Sequence, residues 1–235
     1  MQDRPGWYFE EMKLVGVDFC SPEVVAAYDR KHQRFRDYQQ EAREILEVLG
    51  LGPGSTVLDM GAGTGAFAIH AAGYCKQVIA VDVSGAMLQY CRDKAATMGR
   101  KNISFVHSGF LTYQHRGEPI DAVVSVRAMH HLPDHWKQIG LERLAKILKP
   151  GGRLFLCDVV LPSQAEDLDG QLILWIKKIS AAGGTELGLE AEIHLRREFS
   201  TYDWIMEGML RRAGFSIEKA EYGDLVQARY LCRRQ

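Results

Sequence analysis

The sequence predicts an α/β fold built on a mostly parallel sheet with helices on both faces. Three observations predict it. Short apolar strands alternate with helical segments from Thr56 to Val160, and a glycine-rich turn joins the first strand to the helix after it. The chain then closes with two strand patterns whose connection is too short for a parallel crossover.

Taken in order, Ser21 caps a helix with Pro22 in its first turn, and a second helical pattern runs from Gln39 to Leu49 before the glycine-rich break at 50–54. Tyr28, His32 and Phe35 recur at helical spacing and share a face, with Arg36 and Tyr38 nearby. Val57 and Leu58 suit a buried strand that ends in Asp59. Gly61, Gly63 and Gly65 then let the backbone turn sharply and come close to a ligand at a helix N-terminus.

Gln77 to Val83 reads as the second strand and carries Asp82, about twenty residues beyond the glycines, where an acid can accept hydrogen bonds from ribose hydroxyls. Ser84 caps the helix that follows. Ile103 to Val106 is a third strand, and Ile120 to Val126 a fourth, with Asp121 in a turn at the opposite edge of the sheet. Arg153 to Val160 is a fifth, after the Lys149-Pro150-Gly151-Gly152 turn. Asp134 is expected to cap a helix to Leu148, and Ser200 or Thr201 one to Ala213. Phe215 to Tyr222 and Leu225 to Cys232, joined by Gly223-Asp224, form a hairpin, so the last strand is antiparallel.

The 235 residues suit one domain of four parts: N-terminal helices over 1–50, a core over 51–160, an addition over 161–199, and a terminal helix and hairpin over 200–235. The addition holds an apolar helix around Gln171 to Ile176, a Gly183-Gly184 break and a charged helix from Glu190 to Arg197. Lying on the rim of the glycine turn, it predicts a lid that excludes water.

A net charge of −1 supplies no general drive toward nucleic acid or a membrane surface. Cys20, Cys75, Cys91, Cys157 and Cys232 are scattered without a Cys-x-x-Cys pair, as expected of reduced thiols and not of a structural zinc site. No apolar run reaches membrane-span length, and the N-terminus lacks a signal-peptide core, so the expected location is cytoplasmic.

Gly61-x-Gly63-x-x-Ala66 also fits a loose dinucleotide pattern, so the glycines do not choose the ligand. Asp59 does: a carboxylate two residues before the first glycine repels a pyrophosphate and attracts a cationic amine. S-adenosylmethionine carries an ammonium and a sulfonium and no phosphate.

With these residues in this order, the chain resembles the class I (Rossmann-like) S-adenosylmethionine-dependent methyltransferases over roughly Val48 to Val160, and again from Tyr202 onward. The resemblance implies a seven-stranded sheet in the order 3-2-1-4-5-7-6. It implies that Asp59, Gly61, Gly63 and Gly65 hold the methionine part of the cofactor, that Asp82 holds the ribose, and that Val83 and Met87 pack near the adenine. Members commonly have Gly-Asp after the third strand, but Ser108-Gly109-Phe110 puts Gly109 where the acid would be. Adenine is then expected to meet the Ser108 hydroxyl, the backbone at Gly109 and the flat face of Phe110.

The segment around Tyr28 is similar to the helix that folds over the cofactor in small-molecule members, which brings Tyr28 and Arg36 into the cofactor set. Arg127 suits an anionic substrate or the cofactor carboxylate. His130 and His131 belong to a His-His-Leu-Pro segment at the acceptor end, and Trp175 and His194 of the lid are candidates for substrate contact.

His130, His131 or His32 can take a proton, so no catalytic residue is assigned, and no metal is expected. The expected activity is in-line methyl transfer to a small-molecule acceptor, with no nucleic-acid or membrane partner. The alternatives are an RNA or protein methyltransferase, a non-catalytic S-adenosylmethionine-binding subunit, and a nicotinamide oxidoreductase. Val126-Arg127-Ala128 offers no Asn-Pro-Pro-Tyr type sequence for planar amino groups.

Overall fold

Alternate residues of each central strand bury on opposite faces of one sheet, and this sorts the helices into two layers. The computed structural model describes residues 5–13, 15–17, 19, 21–223 and 225–235. Expectations for Cys20 and for the Asp224 half of the hairpin turn fall outside them.

The helices are α1 (Pro22–His32), α2 (Tyr38–Leu49), α3 (Ala68–Ala71), α4 (Gly85–Thr97), α5 (Asp134–Ile147), α6 (Leu168–Gly183), α7 (Thr185–Arg197) and α8 (Asp203–Arg212). The strands are β1 (Thr56–Met60), β2 (Gln77–Asp82), β3 (Ile103–His107), β4 (Ile120–Val126), β5 (Leu148–Leu161), β6 (Thr201–Tyr202), β7 (Phe215–Tyr222) and β8 (Gln227–Arg234).

The main sheet runs β3-β2-β1-β4-β5-β8-β7, with two-residue β6 pairing beside β5. Strands β3 to β5 pair in parallel, and β8 is antiparallel to both β5 and β7. This is the expected order once β6, which the sequence did not signal, is left out of the count. Val57 packs with Ile45, Leu46 and Ala68 of α2 and α3, whereas Leu58 packs into the layer holding Leu141 and Leu144 of α5 and Leu210 of α8. The described helices include none long and apolar enough to cross a membrane.

Several local expectations need correction. Strand β5 begins at Leu148, because the Lys149–Gly152 turn is absorbed into it as a shift in register between Ile120 and Ala122. Strand β8 starts at Gln227, since Leu225 takes a left-handed φ of 72°. Asp134 does not cap α5, whose N-cap is Pro133; its carboxylate accepts from Lys137 Nζ and Thr201 Oγ1. Neither Ser200 nor Thr201 caps α8, which starts after Tyr202 with no side-chain cap. Ser21 and Ser84 do cap α1 and α4.

Asp121 lies at the N-terminal edge of the sheet, accepting from Thr56 N–H and Lys149 Nζ. Asp59 and Asp82 stand at the opposite, C-terminal edge, where open parallel sheets place ligands.

Candidate functional site

One cavity of about 500 Å³ opens along that C-terminal edge. Its floor is the turn after β1, one wall is the loop after β3, and α1, α6 and α7 form its roof. All the anticipated site residues line it except Gly65. Gly65 has a φ of 81°, and a Cβ there would lie 2.4 Å from Cys91 Sγ, so it packs the turn against α4 from behind.

The turn is tight where it meets β4 and open where it faces the cavity. A Cβ on Gly61 would sit 2.2 Å from Ala128 Cβ, whereas one on Gly63 would meet nothing within 4 Å. Asp82 is fixed by accepting from Gly63 N–H at 2.7 Å and Ser84 N–H at 2.8 Å. Asp59, only 3 % exposed, accepts from Ala68 N–H at 3.1 Å. Burial, reinforced by nearby Asp82 and opposed by the Ala68 bond, pushes its pKa up to about 7.

Helix α1 is pinned to this floor by a residue that the sequence reading missed. Asp29 accepts from Thr64 Oγ1 at 2.5 Å and pairs with Lys94 Nζ of α4, which also donates to the Thr64 carbonyl at 3.0 Å. Tyr28 and His32 stack with ring centroids 4.0 Å apart, and His32 Nδ1–H donates to the Tyr28 carbonyl at 2.9 Å. Burial drives the His32 pKa down to about 4, leaving a neutral ring. Arg36 is held by Glu41 through three contacts of 2.6–3.2 Å and lies over the Tyr38 ring.

Arg127 adopts φ 54°, unusual for a residue with a side chain, while its N–H donates to the Cys157 carbonyl at 2.7 Å. Burial and the Arg36 charge both lower its pKa, and no carboxylate pairs with it among the described residues.

At the far end three histidines surround Glu198. His130 Nδ1–H donates to Asp158 Oδ1 at 2.5 Å, and its Nε2 lies 3.3 Å from Glu198 Oε2. His194 Nδ1 pairs with Glu198, and its Nε2 lies 2.7 Å from Ser200 Oγ. His131 Nδ1 is 4.0 Å from Glu198 Oε1 and is buried with no hydrogen-bond partner. Phe199 N–H donates to the His130 carbonyl at 2.8 Å, and Lys137 Nζ donates to the Phe199 carbonyl, so the residue after Glu198 is anchored through both of its backbone groups.

Burial alone would neutralise all these groups. Around His130, Asp158 and Glu198 override it and raise the pKa, whereas for Asp158 the His130 charge wins and holds the carboxyl down at about 2. Burial and neighbouring His130 depress His131 to about 4. Glu198 ends below its usual value because His194 and the other two histidines outweigh burial. Trp175 packs edge-on to His194 with centroids 5.8 Å apart.

Among the described residues, His130, His131 and Glu198 also bring three metal-ligating atoms within 4.8 Å of one another, a grouping the sequence reading did not foresee. Two imidazoles and a carboxylate suit a divalent ion. In this structure His130 and Glu198 satisfy each other.

Comparison with known proteins identifies the domain and the fold that carry this cavity. A family model described as a methyltransferase domain matches residues 57–152. An uncharacterized methyltransferase, GK2543, of Geobacillus kaustophilus is 27% identical over 85% of this chain and 89% of its own length. The demethylmenaquinone methyltransferase of Clavibacter sepedonicus is 30% identical over 60% of this chain, and the match spans 56% of that relative's length. The crystal structure of a SAM-dependent methyltransferase from Aquifex aeolicus superposes with a TM-score of 0.64 at 18% identity, covering 92% of this chain and 99% of that one.

Residues 57–152 are a methyltransferase domain, on the fold of the S-adenosylmethionine-dependent methyltransferases. The site of this methyltransferase fits its cofactor. Asp59 is a buried carboxylate with no cation paired to it among the described residues, a lack that the cofactor's ammonium would make good. The open space before Gly63 lets a ligand approach the backbone closely.

Besides Asp29, the sequence reading missed Asp158 and Glu198. Asp158 left a signal, being a lone acid inside the apolar run from Leu154 to Val160, which requires a buried partner. Glu198 left none, following Arg196 and Arg197 in what reads as a solvated charged helix end.

Proposed function

We propose that this methyltransferase acts on a small-molecule acceptor held beneath the roof of α1, α6 and α7. The observation that carries this reading is the roof itself. Tyr28, His32, Trp175, Leu187 and His194 line the same cavity as the glycine turn, and its roughly 500 Å³ is the scale of a small-molecule site. The demethylmenaquinone methyltransferase relative, named for a small-molecule acceptor, supports it.

In this reading Asp59 receives the cofactor's ammonium and Asp82 its ribose hydroxyls, with Gly61 and Gly63 close to the ligand. Val83 and Met87 flank the base, while Tyr28 and Arg36 close over it from the roof side. Arg127 takes a carboxylate, either of the acceptor or of the cofactor's amino-acid end.

S-adenosylmethionine, when bound, supplies a methyl group on a positively charged sulfur. The chain must align the acceptor lone pair, exclude water and, for a hydroxyl acceptor, remove a proton. His131 is suited to removing that proton, because burial holds its ring neutral and Glu198 stands 4.0 Å from Nδ1 to steady the charge it gains. His130 keeps its proton against Asp158 and orients this end of the pocket, with Trp175 and His194 shaping the acceptor's side.

The test is release of S-adenosylhomocysteine when purified protein and S-adenosylmethionine meet either the low-molecular-mass or the macromolecular fraction of a cell extract. Release with the first alone is expected. Release with the second alone would replace this reading with RNA or protein methylation.

A further inference from the structure

The cavity wall beyond Asp82 has no acid of its own, because the loop after β3 carries Gly109. The structure nevertheless puts a carboxylate there. A Cβ built on Gly109 would lie 2.5 Å from Glu11 Oε2 and 2.6 Å from Glu11 Cδ. An Asp at that position would hold its carboxylate oxygens about 2.4 Å from its own Cβ by ordinary bond lengths and angles. Glu11, from the segment before α1, thus rests its carboxylate on bare backbone where a side chain of residue 109 would have to go.

The placement is a built one. Glu11 is 6 % exposed and lines the cavity together with Val83, Met87 and Ser108. Leu111 N–H donates to both of its oxygens, at 2.9 and 3.0 Å, and Thr112 Oγ1 donates to Oε1 at 2.7 Å. Thr112 in turn accepts from Gly109 N–H at 2.8 Å and from Ser108 Oγ at 2.9 Å, so the expected adenine donor, Ser108, is already committed to the loop. A carboxylate has about four acceptor sites. These contacts use three, and the one left over is on Oε2, the oxygen nearest Gly109.

We propose that Glu11 Oε2 accepts a hydrogen bond from the exocyclic amino group of the cofactor's adenine. A segment nearly a hundred residues upstream of the loop then completes the base pocket, and base selectivity depends on Glu11. This rests on the cofactor assignment above. An acceptor-only carboxylate favours the amino group of adenine and repels the carbonyl oxygen of hypoxanthine at the same ring position.

The experiment is calorimetric titration of the full chain with S-adenosylhomocysteine and with its deaminated analogue, S-inosylhomocysteine. The wild-type protein is expected to prefer the adenine ligand by about tenfold or more, the worth of one charge-assisted hydrogen bond. Glu11→Gln should shrink that preference to within about threefold, because an amide keeps the shape but can also donate. Glu11→Ala should abolish it, because the carboxylate is then gone altogether.

Equal weakening of both ligands by Glu11→Gln would show that Glu11 only braces the loop, and would overturn the proposal. So would an undiminished preference in a folded Glu11→Ala protein. If the wild-type protein bound neither ligand, the cofactor assignment itself would fall.

Discussion

His130 Nδ1 lies 2.5 Å from Asp158 Oδ1, while the next residue, His131, has its Nδ1 buried without a hydrogen-bond partner among the described residues. Two adjacent imidazoles are thereby driven in opposite directions, His130 toward its charged form and His131 to a pKa of about 4. Divergent environments of this kind separate a group that holds a proton from one free to receive it.

Asp158→Asn should therefore lower the His130 pKa below its ordinary value, which a proton NMR titration of the imidazole signals would register. Breaking a buried charged pair should also cost about 3 kcal/mol in urea unfolding. The sign follows from both shifts. His130 contributes stability that is lost as pH rises through its raised pKa, and Asp158 contributes stability that is lost as pH falls toward about 2. The stability difference between wild type and variant should accordingly be largest in mildly acidic solution and smaller at high pH.

Asp59 makes cofactor binding pH-dependent. Its pKa is raised from 3.8 to about 7, so ligand-free protein loses stability as pH rises between those values, and the cofactor's ammonium relieves that cost. The affinity for S-adenosylhomocysteine should fall as pH drops below about 7. Asp59→Asn should weaken binding by about 1–3 kcal/mol at pH 8 and flatten the profile, as calorimetry across pH 5.5–8.5 would reveal.

Gly63 and Gly65 should respond differently to alanine. Gly65→Ala meets Cys91 Sγ at 2.4 Å on a left-handed backbone and should cost about 2–4 kcal/mol of stability. Gly63→Ala meets nothing and bears only the strain of its positive φ, about 1–2 kcal/mol, yet its methyl faces the ligand space. Denaturation should rank Gly65→Ala as the worse folder, and titration should rank Gly63→Ala as the worse binder per unit of stability lost.

Lys31 joins α1 to α7 through Glu186 at 2.9 Å and Glu190 at 3.1 Å, beside Arg34 donating to the Gly183 carbonyl at 3.2 Å. Lys31→Ala should change global stability by less than about 1 kcal/mol, since these pairs are partly exposed. Hydrogen exchange in α7 should nevertheless quicken, because local opening needs only these contacts to break.

The strands and the reversed last strand were legible because they depend on apolar runs, glycines and one short connection, all local signals, whereas the strand order came from the family resemblance alone. Asp59, Asp82 and the histidine pair were legible for the same reason, each lying at a strand end or in the loop after it. Asp29, Glu198 and Glu11 were not, because each acts across the tertiary structure. Asp29 reaches Thr64, Glu198 reaches the His130 turn, and Glu11 reaches Leu111 and Thr112. Helix starts at Asp134 and Thr201 misled for a related reason: both side chains are drawn into one shared contact with each other, which a local capping rule does not weigh.

Helix α1 grips the molecule at two heights. Asp29 clasps Thr64 and Lys94 beneath it, while Lys31, with Arg34 just past the helix end, holds α7 and the end of α6 above. Eleven residues of helix therefore tie the glycine turn to the ceiling over the histidines, so neither compartment is fastened independently of the other.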